Sequence, residues 1–206
     1  MNIETFVLGV NQTNCYLVWG ESEGLVIDPG DDPKLLIDIV NARKIKLKYV
    51  INTHAHFDHI MGNNTLVSST GAKLAINRLD VEMLSNAFYN LSAYFLSPFC
   101  SIKPDILLED GSKLCVESEE FTVIHTPGHT PGASCIYFPE RRVVFTGDTL
   151  FRFSYGRTDL FGGNAEDMLA SLKKLLAILK DEDICLPGHG ENFKFGEVRK
   201  WIEELV

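Results

Sequence analysis

Three histidines and one aspartate lie within six residues of the segment INTHAHFDHIMG. Imidazole nitrogens and carboxylate oxygens bind zinc, iron and manganese. In an extended segment, residues i and i+2 point to the same side, so His54 and His56 can bind one ion. Asp58 and His59 follow where the chain turns into a helix, and they can bind a second ion. The segment therefore predicts half of each of two metal sites.

Three further candidate ligands follow other short apolar runs. His129 follows FTVIHTPG, Asp148 follows RVVFTG, and His189 follows DICLPG. Because α/β proteins bind ligands beyond the carboxyl ends of their strands, we expect these loops to converge on one crevice. His129 would complete the first site and His189 the second, while the two carboxylate oxygens of Asp148 would bridge both ions. The pattern predicts two divalent metal ions, with zinc expected first and iron or manganese as alternatives.

Two residues near these motifs have a less direct interpretation. His125 ends the FTVIH run, and the five better-placed histidines favour a structural or ligand-supporting role for it. Asp28 precedes Pro29 in VIDPG, which is typical of a turn residue; a hydrogen bond to the HAHFDH loop is the alternative.

The elements that must position these residues can be predicted from apolar runs. Nine runs of strand length are bounded by Gly, Pro or Asp, namely NCYLVWG, GLVIDPG, LKYVINT, AKLAIN, SKLCVES, FTVIHTPG, ASCIYFP, RVVFTGD and DICLPG. The segment NAEDMLASLKKLLAILK predicts a helix that is capped by Asn164 and has Asp167 in its first turn. Its apolar stripe comprises Met168, Leu169, Leu172, Leu175, Leu176 and Leu179. A final helix is predicted to turn Phe195, Val198, Trp201, Ile202 and Leu205 inward.

The order of these elements indicates the fold. Strands followed by helices occur before residue 110, and much the same order recurs after it, which predicts two β-rich halves packed face to face with helices outside. The aromatic stretch 81–100 is the least regular. It is expected to be helical with a loop and to pack on the core, and an apolar wall beside the site is the alternative.

Composition excludes several classes of protein. The 206 residues are 45% hydrophobic and 23% charged, which is typical of one globular domain spanning 1–206, and no apolar run is long enough to cross a membrane. A net charge of −9 disfavours nucleic acid as a partner. Five cysteines without CxxC spacing, and no secretory signal at the N-terminus, predict reduced thiols, mostly in the core, and a cytoplasmic location.

Four motifs together carry a resemblance to a known family. THAHFDH, HTPGHTPG, TGDTLF and LPGHG occur in this order within residues 53–190 and resemble the metallo-β-lactamase superfamily, in particular its short glyoxalase II-like branch of hydroxyacylglutathione hydrolases. The resemblance implies the α/β metallo-β-lactamase fold, a four-layer αββα sandwich. It also implies the same metal ligands, namely His54, His56 and His129 for one ion, Asp58, His59 and His189 for the other, and Asp148 between them.

Differences among relatives narrow the expected substrate. The best-known class of true metallo-β-lactamases has a cysteine where Asp148 stands, so antibiotic hydrolysis is not expected. Longer glyoxalase II enzymes carry a C-terminal helical domain that binds glutathione, and none is expected here. GRTDLFGGN resembles the loop that follows the bridging aspartate in the short branch. Within it, Arg157 has two equal interpretations, a substrate-binding residue or an ion-pair partner of Asp159 that holds the loop.

The resemblance implies a thioester hydrolase that acts on S-acylglutathione-like small molecules. A hydroxide that bridges the two metals would attack the carbonyl, and Asp58, besides being a ligand, is the candidate catalytic proton acceptor. The alternative is a persulfide dioxygenase of the same superfamily, with one iron held by His54, His129 and Asp148. A metal-stabilised scaffold without turnover is a third possibility, which seven protein ligands for two ions disfavour. The oligomeric state is left open.

Overall fold

The first of two six-stranded sheets is formed by the strands of the N-terminal half of the chain. The computed structural model describes residues 1–95 and 98–206. The strands of the first sheet follow chain order across it and are β1 (Asn2–Leu8), β2 (Thr13–Trp19), β3 (Glu23–Ile27), β4 (Lys46–Ile51), β5 (Lys73–Asn77) and β6 (Ile106–Leu108). The first three are antiparallel, whereas β3 to β6 are parallel. The carboxyl ends of these last four strands therefore lie at one edge.

The second sheet contains most strands of the C-terminal half. The strands of this half are β7 (Lys113–Val116), β8 (Glu119–His125), β9 (Ser134–Phe138), β10 (Val143–Gly147), β11 (Leu150–Phe151), β12 (Ser154–Tyr155), β13 (Ile184–Pro187) and β14 (Phe193–Lys194). The sheet has the order β14-β13-β10-β9-β8-β7, and β11 and β12 form a separate hairpin. Parallel pairing of β10 with β13 places Gly147 opposite Pro187, so the two chain segments leave the sheet side by side.

Helices cover the outer faces of both sheets. The described α-helices are α1 (Lys34–Ala42), α2 (Phe57–Ile60), α3 (Asn63–Thr70), α4 (Val81–Leu84), α5 (Ser92–Phe95), α6 (Ala165–Ile178) and α7 (Phe195–Leu205). Apolar side chains of α1 and α3 share a core with the outer face of the first sheet, and those of α6 and α7 share another with the second sheet. A third core lies between the sheets. The four-layer αββα sandwich predicted from the sequence is therefore confirmed.

Strand periodicity explains why most of these runs are apolar throughout. On β2, Tyr16 and Val18 belong to the core between the sheets, whereas Cys15 and Leu17 face the helices. On β10, Val143 and Phe145 belong to the central core, whereas Val144 between them packs with α6 and α7. Both faces are buried, so successive side chains are apolar although they alternate in direction.

The predicted elements agree with the structure except in a few places. All nine predicted runs contain a strand, and the side chain of Asn164 accepts hydrogen bonds from the Glu166 and Asp167 amides at the start of α6. The prediction that Leu205 turns inward is wrong, because Leu205 lies in the last turn of α7 and is 36% exposed. The strands that were not predicted are β1, β6 and the two-residue strands β11, β12 and β14.

The aromatic stretch 81–100 forms two short helices, α4 and α5, joined by turns, with Leu96 and Ser97 outside the described residues. Met83 and Leu84 are buried in a small apolar cluster, as expected for packing on the core. Three aromatic residues of this stretch remain exposed and lie near the candidate site, namely Phe88, Tyr94 and Phe95. The stretch therefore also has the alternative role, an apolar wall beside the site.

The cysteines divide between the core and the surface. Cys15, Cys135 and Cys185 are buried, whereas Cys100 and Cys115 are exposed, and all five are free thiols. Within residues 1–95 and 98–206, no helix combines the length and the apolar character needed to span a bilayer.

Candidate metal centre

Loops that follow β4, β8, β10 and β13 bring all seven predicted ligands together. Their coordinating atoms fall into overlapping groups of three, in each of which all atoms lie within 4.8 Å of one another. The groups are His54, His56 and His129; His54, His59 and Asp148; and Asp58, His59 and His189. The first and third are the two half-sites predicted from the sequence. The second group shows that His54 also lies close to His59 and Asp148.

Asp148 lies between the two half-sites. Its Oδ2 is 3.5 Å from the Nε2 atoms of both His129 and His189, and its Oδ1 is 3.5 Å from His59 Nε2. One carboxylate therefore contacts histidines of both groups. This is the geometry expected of a bridging ligand.

The HAHFDH segment changes from extended to helical backbone at His56. His56 has φ −69° and ψ 148° and precedes α2, whose first turn contains Asp58 and His59. His56 presents Nδ1 to the first group, 2.9 Å from His129 Nε2. The change of backbone direction sends the two halves of the motif to different half-sites, as predicted.

Hydrogen bonds fix the orientation of four histidine rings. Backbone carbonyls can only accept, so the Nδ1 atoms of His129 and His189 carry hydrogen and donate to Arg157 O at 2.7 Å and Asn11 O at 3.1 Å. His59 Nδ1 donates to the Asp28 carboxylate at 3.0 Å. In its neutral form, each of these three rings presents an unprotonated Nε2 to the centre.

The fourth ring, that of His54, is oriented by the hydroxyl group of Thr53. The single hydrogen of the Thr53 hydroxyl is donated to Asp28 Oδ2 at 2.7 Å, so Thr53 Oγ1 accepts from His54 Nδ1 at 3.2 Å. His54 Nε2 is therefore unprotonated, and within the described part of the chain this buried atom has no hydrogen-bond partner.

The donor set fits divalent cations. The buried atoms His54 Nε2, His56 Nε2 and Asp148 Oδ1 have no hydrogen-bond partner among the described residues, and His59 Nε2 and His189 Nε2 lie 3.3 Å apart. Buried polar atoms without a partner are unfavourable unless a cation lies near them. The imidazole and carboxylate donors suit zinc, iron or manganese.

Burial and neighbouring charge act on these groups in opposite directions. Burial lowers the pKa of His54 and of His56 well below the usual value, which favours the neutral form that binds metals. Burial has the same tendency for His59, but the carboxylates of Asp148, Asp28 and Asp58 outweigh it and raise its pKa to about 10. Without a cation, the cluster of carboxylates thus draws a proton to His59.

Asp28 supports the HAHFDH loop directly, which corrects its first interpretation as a turn residue. Its carboxylate is 1% exposed and accepts hydrogen bonds from the Thr53 amide at 2.7 Å, the Thr53 hydroxyl and His59 Nδ1. Its backbone also has a left-handed φ of 52°. The alternative role, a hydrogen bond to the loop, is the one observed.

Asp80 is a supporting residue that sequence reasoning missed. Its buried carboxylate accepts from Ala55 N at 3.1 Å, Thr130 Oγ1 at 2.7 Å and Gly132 N at 2.5 Å. It therefore ties the loop after β4 to the loop after β8, across the two sheets. Burial raises the pKa of Asp80, and the three hydrogen bonds oppose this shift. A lone aspartate in NRLDVE carries no signal of this contact.

The β1–β2 turn supplies two further polar groups that were not predicted. Asn11 Nδ2 donates to Asp58 Oδ2 at 2.9 Å, and Thr13 Oγ1 lies 3.3 Å from the same oxygen. The Asn11 carbonyl also accepts from His189, as described above. This turn therefore orients both Asp58 and His189 in the second half-site.

His125 lies outside the cluster. Its Nε2 donates to the Pro131 carbonyl at 2.8 Å, and its backbone oxygen accepts from Lys174 Nζ at 2.9 Å. Both contacts are structural, in agreement with the interpretation of the sequence.

A small cavity reaches the centre from the surface. It has a volume of about 160 Å³, and its walls include Asp58, His129, Asp148 and Arg157. Arg157 donates two hydrogen bonds to Asp159, from Nε to Oδ1 at 2.7 Å and from Nη2 to Oδ2 at 2.8 Å. The ion pair within the loop is thus present, and the guanidinium group lies at the cavity as well.

Comparison with known proteins identifies the class to which this fold and site belong. Residues 8–189 match the model of the metallo-beta-lactamase superfamily, and the chain belongs to this superfamily. Membership supports a metal-dependent hydrolase, since the superfamily binds divalent metals.

Particular relatives have different described activities. The hydroxyacylglutathione hydrolase GloC of Haemophilus influenzae is 31% identical over 203 residues, which cover 97% of this chain and 96% of GloC. The crystal structure of the BLEG-1 B3 metallo-beta-lactamase has a TM-score of 0.91 at 32% identity and covers 97% of each chain. TTHA1623, solved in a di-iron-bound form, has a TM-score of 0.85 at 36% identity, covering 95% of this chain and 96% of TTHA1623.

Proposed function

We propose that the protein is a thioester hydrolase of the glyoxalase II type that uses two divalent metal ions, with zinc expected first. The observation that carries the proposal is the arrangement of two groups of three ligands around Asp148 at the end of an open cavity. The likeness to GloC adds the substrate class, S-acylglutathione-like thioesters. Five free cysteines fit a reducing compartment, so a cytoplasmic location is part of the proposal.

The reaction adds water across the carbon–sulfur bond. The water oxygen forms the new bond to the carbonyl carbon, the carbon–sulfur bond breaks, and the products are a carboxylate and a thiol. When bound, the metals would lower the pKa of water and polarise the carbonyl oxygen. Because thiols have pKa values near ~8.5, the thiolate can leave without a dedicated protein acid.

The chain itself supplies orientation and a proton acceptor. The cavity wall includes the carboxylate of Asp58, whose Oδ2 is held by Asn11 and Thr13. Asp58 can accept a proton from the attacking water while it helps to hold the second ion. Arg157 lies at the same cavity and is proposed to contact a substrate carboxylate through a charge-assisted hydrogen bond, in exchange for its contact with Asp159.

The persulfide dioxygenase alternative uses a subset of the same residues. His54, His129 and Asp148 would hold one iron, and the other four candidate ligands would then serve no ion. In this chain three of those four, Asp58, His59 and His189, themselves form a group whose coordinating atoms lie within 4.8 Å of one another, which favours a second ion.

β-Lactam hydrolysis is a second candidate function because BLEG-1, described as a B3 metallo-beta-lactamase, has the TM-score of 0.91 given above. The aspartate at position 148 disfavours only the class of metallo-β-lactamases that has a cysteine at that position. We rank β-lactam hydrolysis below thioester hydrolysis because the likeness to GloC and the short-branch GRTDLFGGN loop both point to thioesters.

Three assays on the same metal-loaded preparation test the proposal. They are hydrolysis of S-lactoylglutathione, oxygen uptake with glutathione persulfide, and hydrolysis of a penicillin. We expect thioester cleavage with weak saturation and a KM at or above ~1 mM, because Arg157 is the only lysine or arginine among the described residues that line the cavity. Oxygen uptake without thioester cleavage would support the dioxygenase instead. Faster cleavage of the penicillin than of every thioester would support the lactamase.

A further inference from the structure

An aromatic groove lies beside the cavity of the candidate metal centre. We define the aromatic groove by Phe88, Tyr89, Leu91, Tyr94, Phe95 and Phe161. It encloses about 490 Å³, roughly three times the volume of the cavity at the metal centre. Four residues line both spaces, namely Leu91, Phe95, Arg157 and Leu160. A molecule that reaches the metals can therefore extend into the groove.

Aromatic stacking holds the walls of the groove in place. Tyr89 stacks on Phe161 with ring centroids 3.6 Å apart and an angle of 6°, which joins the segment before α5 to the loop before α6. Phe95 stacks on Phe57 of α2 at 5.4 Å. Three rings nevertheless stay more than 60% exposed, those of Phe88, Tyr94 and Phe95. A cluster of exposed aromatic rings next to a site indicates a surface that binds an apolar group.

The groove offers little net charge to a ligand. Among its described lining residues, the charged side chains are Arg157 and Asp159, and they form the ion pair with each other. The other lining side chains are aromatic or leucine. The part of a ligand that fits here is therefore neutral and apolar.

Leu91 occupies the junction of the two spaces in a strained backbone conformation. Its φ of 72° lies in the left-handed region, which costs a residue with a Cβ about 1–2 kcal/mol and costs glycine almost nothing. Hydrogen bonds on both sides enforce this conformation: Phe57 N donates to Asn90 O at 2.9 Å, and Ser92 N donates to Asn90 Oδ1 at 3.0 Å. Strain of this kind at a site points to a side chain that is needed there.

We infer that the aromatic groove binds an apolar substituent of the substrate, and that Leu91 determines specificity by separating this substituent from the reacting thioester. The inference rests on the proposed thioesterase activity and adds a substrate class to it. The preferred thioester carries an aryl or medium-chain alkyl group on the acyl side or on the thiol side.

Two series of thioesters distinguish the acyl side from the thiol side. The first compares acetyl, hexanoyl and benzoyl esters of N-acetylcysteamine, so only the acyl group changes. The second compares acetyl esters of N-acetylcysteamine and of benzyl thiol. We expect kcat/KM to rise at least ~10-fold with the apolar group in one of the two series, as burial of several methylene groups predicts. A flat response in both series overturns the inference even if every ester is hydrolysed.

Substitution of Leu91 tests the named residue. Leu91→Gly should fold at least as stably as the wild type, because glycine relieves the left-handed strain, yet it should lose most of the preference for the apolar ester. Leu91→Ala keeps the strain and should lose the same preference. The matched control is Lys44→Gly, since Lys44 has a φ of 58° on an exposed turn and does not line the groove, and this variant should keep the full preference. A preference unchanged in both Leu91 variants contradicts the role of this residue.

A binding measurement separates this inference from the proposed function. The non-hydrolysable benzyl thioether of N-acetylcysteamine is titrated into the metal-loaded protein while aromatic NMR signals of the groove are followed. Shifts at Tyr89 and Phe161 support the inference even if no thioester is cleaved, in which case only the proposed function fails. Absence of shifts at millimolar thioether, together with normal hydrolysis of acetyl esters, overturns the inference and leaves the function intact.

Discussion

Asp148 is the residue on which both proposed metal positions depend, because its two oxygens face histidines of both half-sites. We predict that Asp148→Ala retains the fold, since the strands that carry the core are not held by this carboxylate, but loses more than ~100-fold in thioester hydrolysis. Steady-state kinetics and far-ultraviolet circular dichroism measure the two properties. Near-wild-type turnover in a well-folded variant would show that Asp148 is not a shared ligand.

The two histidines of HTPGHT, His125 and His129, differ in their contacts with the metal-ligand cluster. His129 presents Nε2 to Asp148 at 3.5 Å, whereas His125 donates to the Pro131 carbonyl outside the cluster. His129→Gln should therefore abolish activity, and His125→Gln should reduce it less than ~10-fold. Side-by-side kinetics and metal analysis of both variants provide the measurement. Equal losses would mean that the roles of the two histidines have been assigned wrongly.

The close approach of the loops after β10 and β13 leaves no space for a side chain at Gly188. A Cβ at Gly188 would collide with Asp148 Oδ1 and would lie 2.8 Å from His59 Cε1. We predict that Gly188→Ala displaces these two candidate ligands and lowers metal content. X-ray fluorescence or mass spectrometry of the purified variant measures the loss.

The matched control for this prediction lies two residues away. Gly190 has a φ of 80° and open space around its Cβ position. Gly190→Ala should cost about 1–2 kcal/mol of folding free energy through backbone strain but should keep its metals. If the two variants lost metal equally, steric contact with Asp148 would not be the cause.

Local patterns allowed most elements and all seven candidate ligands to be predicted. The spacing of His54, His56 and Asp58 depends only on strand geometry and on entry into α2, both of which are local. Asp28 and Asp80 could not be assigned, because their partners Thr53 and Gly132 are 25 and 52 residues away. Such contacts follow from sheet order and loop packing, which no short pattern specifies. β6 was missed because its three residues are too few for a periodic signal.

The candidate centre joins the two sheets, since its loops follow β4 of one sheet and β8, β10 and β13 of the other. Ions that bind only the folded chain must therefore stabilise it. We predict that removal of metal by a chelator lowers the Tm of the 206-residue chain by roughly 5–10 °C, assuming a free ion concentration ~100-fold above Kd. Differential scanning calorimetry measures the change, and the chelator should have a smaller effect on Asp148→Ala.

The proposed centre holds two metal ions around one shared carboxylate, that of Asp148. Its most direct test is the metal content of the wild-type protein, purified without added metal and measured by inductively coupled plasma mass spectrometry against protein concentration from amino-acid analysis. The expectation is about two divalent ions per chain in the wild type, falling to one or fewer in Asp148→Ala. A single iron per chain in the wild type, unchanged after incubation with excess zinc or manganese, would contradict it.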